Sequence, residues 1–201
     1  MPEGIKAGDA DIATFNLSRK RAMAHGVTGV STAAAVVIGA VPIPFADALL
    51  LTPIEIALVN GLSQIYDINK NEESKRLFSS IVEVGTVSIA AKTALSALKA
   101  IPGVNLGVGA LNAIIAGSIV AALGEGSIIA FEQVYLGKKS ITDISWVQKV
   151  VGEKLSPKLT EIVHTILEKI ASNPDKRDIA GIIMDAFKNL SASSTGVKNI
   201  D

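Results

Sequence analysis

The sequence predicts an all-α protein, a bundle of long, apolar, Ala/Gly-rich helical hairpins followed by shorter amphipathic helices. Three observations carry this. Two long stretches hold no formal charge and are broken by proline or glycine rather than by polar loops. Valine and isoleucine are plentiful, yet no run alternates with period two between turn residues. Beyond Ile141 the apolar positions recur at i, i+3, i+4 and i+7.

The first helix is expected from Asp11 to Val41, polar up to Arg21 and apolar beyond it. Pro42 and Pro44 end it, since proline lacks an amide donor and displaces the residue before it from helical geometry. A second helix starts near Pro44 or Thr52 and ends around Tyr66. The polar stretch DINKNEESKR then turns the chain. A third covers Glu72 to Ala100, with Leu77, Ile81, Val84, Ala91, Leu95 and Leu98 on one stripe. IPGVNLG breaks it, and a fourth runs from Leu106 to Tyr135, where Gly137 marks a helix C-terminus. Leu159, Ile162, Val163, Ile166, Leu167 and Ile170 form the next apolar face, with Ser156-Pro157 as its start. Ile179, Ile182, Ile183, Ala186, Phe187 and Leu190 form the last, after Asn173-Pro174. The expected organisation is a polar segment over 1–21, an apolar core over 22–139, an amphipathic appendage over 140–190 and a disordered tail over 191–201.

Composition narrows the function classes. The 201 residues are enough for a sizeable core. They are 49% hydrophobic, 4% aromatic and 19% charged, against about 25% charged in soluble domains. The apolar mass is small: alanine, valine, isoleucine and glycine. Net charge is zero and no basic stripe occurs, which argues against nucleic acid. With no cysteine, disulfides, thiolate nucleophiles and cysteine-based zinc sites are excluded. The amino terminus places acids ahead of its apolar run, unlike a secretory signal, and carries no lipidation motif. A cytoplasmic location at the inner face of a membrane is the expectation.

From Ala22 to Ala46 only His25 interrupts the uncharged run, and from Ala100 to Gly124 nothing does. Either stretch would reach roughly 37 Å as a helix, against a hydrocarbon core of about 30 Å. Length permits spanning, although the proline pair shortens the first helix. Lys20 and Arg21 would anchor that helix at the headgroups. Gly109, Ala113, Gly117 and Ala121 recur every fourth residue and form one smooth face, with Ser31, Ala35 and Gly39 as a shorter version. Such faces let helices approach closely, within the chain or between copies.

The segment AVPIPFADALLLTPIEI, Ala40 to Ile56, sets two acids among prolines. Thr52-Pro53-Ile54-Glu55 fits a capping box with proline at the first helical position. Asp47 would then lie in the first turn of a helix begun at Pro44, or act as a buried acid whose protonation gates insertion. Glu125, between Gly124 and Gly126, is the most isolated acid and a candidate buried carboxylate. Glu83 and Lys92 fall in the third helix on roughly opposite faces. His164 lies off its apolar stripe, on the wet side. No HExxH, metal-ligand cluster or nucleophile elbow occurs, so no cofactor, metal or enzymatic activity is expected.

AVPIPFADALLLTPIEIALVNGLSQIY and IPGVNLGVGALNAIIAGSIVAALGEGSIIAFEQVY resemble the two halves of the GTPase-associated domain of unknown function number six-nine-seven, over about Ala22 to Lys139. The resemblance implies an apolar helix, a Pro-Ile-Pro break, a small-Asp-Ala segment and a glycine-rich second half. Members of that family are often fused behind small GTPase domains, or are predicted inner-membrane proteins partnered with one. This chain holds no GxxxxGK[ST]; the GKKS at Gly137 to Ser140 lacks the glycine and the preceding strand of a phosphate loop. The leading functional expectation is a non-enzymatic, membrane-associating module that self-packs through small-residue faces. Its partners would be a bilayer, a small GTPase and further copies of itself. The alternatives are a soluble protein-interaction module and a pore-forming or membrane-perturbing effector.

Overall fold

The computed structural model describes residues 7–40, 46–68, 71–86, 108–172, 181–187 and 189. Among them no strand occurs, and the fold is all-α. In chain order the helices are α1 (Ala7–Gly39), α2 (Ala46–Ile65), α3 (Glu72–Thr86), α4 (Val108–Tyr135) and α5 (Ile144–Ser172), with residues 181–187 also helical. Pro42, Pro44, Lys92 and the tail over 191–201 lie outside the described residues.

The chain ends its helices by local chemistry. Past α2, Asp67 takes a left-handed backbone (φ 55°) and the Ile68 amide donates to the Ser63 carbonyl at 2.9 Å. Past α4, Gly137 does the same (φ 67°), and the Lys138 amide reaches the Gln133 carbonyl at 3.0 Å. Both satisfy carbonyls that a helix end leaves open. The start of α3 is a reciprocal cap: the Asn71 side chain accepts from the Ser74 amide, and the Ser74 hydroxyl accepts from the Asn71 amide, each at 2.8 Å.

Two expectations are corrected. Thr52-Pro53 does not open a helix, because α2 already runs from Ala46 and Pro53 lies inside it. Glu55 is therefore no cap; it sits in the helix interior at 1% exposure. Ser156-Pro157 likewise falls inside the 29-residue α5, which replaces the separate short helices expected there. Both prolines face outward, so the carbonyl each leaves unbonded sits on an accessible side of its helix.

Helix α4 is the hub. It packs against α1, α2, α3 and α5, and one apolar core joins residues of all of them, including Leu58, Leu77, Ile114, Leu123, Phe131, Val151 and Ile166. Phe78 of α3 meets Phe131 edge-on at 5.9 Å. Gly126 lies against the Val151 backbone, so the core continues across residue 140 into α5 without a gap. Helix α1 lies antiparallel on α4. Going back from Gly39 to Val36, Thr28 and Arg21, its neighbours are Ala116, Gly117, Gly124 and Glu132.

Candidate functional site: an uncharged outer face over a polar seam

The seam between α1 and α4 begins with small residues. A β-carbon at Gly39 would stand 2.8 Å from both the Ala116 β-carbon and the Asn112 carbonyl oxygen. One at Gly109 would stand 2.7 Å from the Ala40 carbonyl oxygen, and one at Gly117 would strike Val36 and Phe187. These glycines let the two backbones approach. Gly109, Ala113 and Gly117 are thus filled by α1 and Phe187, while Ala121 is partly buried against the core. Nor is the stripe straight. Steps of four residues drift about 40° per step around a helix of 3.6 residues per turn, so Gly39 faces α4 and Ala35 is buried in the core, while Ser31 turns outward to a groove beside α2.

Further along, the seam becomes polar. Arg21 grips Glu132 with two hydrogen bonds, Nε to Oε2 at 2.7 Å and Nη2 to Oε1 at 2.5 Å. His25 Nδ1 lies 3.1 Å from Glu125 Oε1, with the imidazole only 9% exposed. Next come Thr28, Thr32 and Ser118, whose buried hydroxyls lack a hydrogen-bond partner among the described residues. Lys20 donates to the Ile65 carbonyl oxygen, bonds Asp67 Oδ2 at 2.8 Å and stands 4.8 Å from the Tyr135 ring centre. Tyr66 packs edge-on to Tyr135 at 6.1 Å. Burial raises the Tyr66 phenol well above its ordinary value, and the Glu132 carboxylate adds to this. Donating hydrogen bonds to Glu132 holds the Arg21 guanidinium more firmly charged still.

Lys20 and Arg21, expected at a headgroup layer, are therefore engaged inside the fold, tying α1 to the ends of α2 and α4. Glu125 has a histidine partner. Asp47 lies in α2, its side chain outside the described residues; Glu83 is exposed and His164 half-buried. Sequence reasoning missed the seam as a unit. Its signal was present: Arg21, His25, Thr28 and Thr32 fall at i, i+4, i+7 and i+11, and Ser118, Glu125 and Glu132 at intervals of seven. Each set is one helix face. Among the described residues no three His, Asp or Glu side chains gather as a metal site would require.

The opposite side of α1 differs. Its exposed residues between Ala22 and Ala40 are Ala22, Met23, Gly26, Val30, Ala34, Val37 and Ala40, and none is charged. Val30 is 74% exposed. The described exposed residues of α2 up to its end, Pro53, Ile56, Ala57 and Gln64, continue the uncharged character. Among the described residues two helices are long and apolar enough to cross a membrane, Thr14–Gly39 and Gly109–Tyr135. Their surroundings are unequal: 78% of the most apolar 18-residue window of the second is buried inside the fold, against 39% of that of the first.

These features define an all-α bundle with one buried apolar helix and one half-covered apolar helix at its edge. The chain belongs to the family described as Domain of unknown function (DUF697), which it matches over residues 13–172. The match takes in α5 as well as the apolar hairpins. No curated protein and no solved structure matches the chain.

Proposed function

We propose that this protein is a non-enzymatic, membrane-associating helical module that lays the outer face of α1 and α2 against a bilayer. The observation that carries it is the uncharged exposed face from Ala22 to Ala40. Soluble proteins tolerate single exposed apolar residues, but a contiguous apolar patch marks a contact surface. Nineteen residues of helix make about 28 Å of such surface. Between Ala22 and Ala40 the polar residues His25, Thr28 and Thr32 are buried toward the seam, so bilayer contact through this stretch requires no charge to be desolvated.

Flotation with phosphatidylglycerol/phosphatidylethanolamine vesicles at neutral pH tests the reading. The detergent-free protein should float. Val30→Asp and Val37→Asp, both at exposed positions, should weaken binding about a hundredfold each, the scale of placing an aspartate in a bilayer. Wild-type protein staying at the bottom as one sharp species would end this reading in favour of a soluble interaction module. An accessory role beside a small GTPase is the finer part of the proposal and rests on the family resemblance alone. It predicts that vesicle-bound protein retains a GTP-loaded GTPase domain over a GDP-loaded one, and equal retention would remove it. Self-association is also proposed, through a surface other than the Gly109–Ala121 stripe, which α1 and Phe187 already fill; a monomeric mass on the vesicle surface would exclude it.

A further inference from the structure

Three basic residues stand in a row on α1, and the fold engages two of them. Lys20 bonds Asp67 and the Ile65 carbonyl oxygen, and Arg21 grips Glu132. Successive residues of a helix point about 100° apart, so Arg19 cannot share their direction. It is exposed and forms no ion pair among the described residues. The carboxylates its neighbours meet, Asp67 and Glu132, are taken by Lys20 and Arg21. Asp11 lies eight residues earlier on α1, about 12 Å along the axis. The guanidinium of Arg19 is therefore left uncompensated.

Its place is within the apolar face, not beside it. Phe15 and Met23, both exposed, lie four residues before and after Arg19. Val37, also exposed, lies eighteen residues on, five complete turns, and so points the same way. Of the exposed residues between Thr14 and Ala40, Arg19 alone is charged. A surface matched to this face combines hydrocarbon along roughly 27 Å of helix with a negative charge near one end. A zwitterionic phospholipid surface offers phosphates already matched by its own ammonium groups, whereas an anionic one holds phosphates in excess. A guanidinium takes phosphate oxygens two at a time, and its methylene stem can lie along apolar surface. The chain has no net charge, so a preference for an anionic membrane must come from a local cation. We infer that the outer face of α1 is selective for anionic phospholipid bilayers, with Arg19 binding a headgroup phosphate while Phe15, Met23, Val30 and Val37 enter the acyl layer. The inference rests on the bilayer reading above and names the class of lipid it requires.

The test separates the two. The full chain is floated at about 0.1 M salt with vesicles of phosphatidylcholine alone, and with vesicles in which about a third is replaced by phosphatidylglycerol. Wild-type protein should prefer the anionic vesicles about fivefold, the effect of one basic side chain beside such a surface. The preference should shrink at high salt. Arg19→Gln, at an exposed position, should keep wild-type helix content, bind phosphatidylcholine as wild type does and lose the preference. Arg19→Lys should retain it. Lys149→Gln removes the same charge from an exposed position on α5, which packs on α3 and α4, and should leave the preference intact. Equal binding of wild type to both vesicles, a preference that survives Arg19→Gln, or equal losses in Arg19→Gln and Lys149→Gln would overturn the inference while leaving bilayer contact standing. Flotation of no protein on either vesicle would overturn both readings.

Discussion

Tyr66 sits 1% exposed at the end of α2, beside the Arg21–Glu132 pair, with its hydroxyl unpartnered among the described residues. A buried hydroxyl without a partner costs about 1–3 kcal/mol, so Tyr66→Phe should raise stability by about 1 kcal/mol at neutral pH. The raised phenol pKa adds a pH dependence of known sign. Above the ordinary tyrosine value of 10.0, the unfolded chain releases this proton while the folded chain retains it. Stability must then fall as pH rises, and below that value the group contributes no slope. Urea midpoints from neutral to strongly alkaline pH should show the Tyr66→Phe protein losing less stability than wild type above that point. Parallel alkaline losses would mean the phenol is hydrated in solution. At this scale the sequence was readable in kind but not in pairing. Glu125 is visibly an acid in an apolar run, yet its partner His25 lies one hundred residues away. Only the antiparallel register of α1 on α4 brings them together.

Among elements, α1 and α4 each carry a glycine whose replacement has an opposite expected sign. Alanine is favoured over glycine within a helix by about 1 kcal/mol. At Gly26 nothing opposes that gain, so Gly26→Ala should raise the melting temperature. At Gly124 the new β-carbon would collide with the Thr28 Cγ2 and Oγ1, a short β-branched side chain with little freedom to yield. Overpacking of this sort costs typically 1–3 kcal/mol, so Gly124→Ala should lower the melting temperature despite its better propensity. If both variants shift upward, α1 is not seated on α4 in this register. The helices themselves were legible, because charge-free runs and i, i+3, i+4 spacing survive any packing. The starts were not. Thr52-Pro53-Ile54-Glu55 has every residue of a capping box but lies inside a helix begun at Ala46, and the reciprocal cap is Asn71 with Ser74. A short motif cannot reveal that the chain upstream is already helical, and an outward-facing proline removes the main objection to continuing.

For the molecule as a whole, the sequence presents two charge-free runs of similar length, and composition cannot rank them. The fold does. α2, α3, α5 and the helical segment holding Phe187 gather around α4, whereas among the described residues α1 packs on α4 and α2 and keeps an exposed outer side. This asymmetry predicts how the protein should meet a bilayer: as a folded body, through α1 and α2, with α4 staying in the core. Amide hydrogen exchange with and without vesicles can read this directly. Peptides covering 22–40 and 52–65 should slow on vesicle binding, while peptides covering 113–131 should stay unchanged, already protected by burial. An effector that perforates membranes by inserting both apolar helices would have to part α1 from α4, breaking the Arg21–Glu132 and His25–Glu125 contacts and uncovering the glycine seam. Its signature is a transient loss of protection across 113–131 as binding proceeds. Slowing confined to α1 and α2 would therefore exclude insertion of α4, and exchange unchanged everywhere would exclude the bilayer as a partner. The seam and the outer face thus make separable demands on the same helix: the polar side of α1 holds it to the fold, and the apolar side carries the proposed contact with the bilayer.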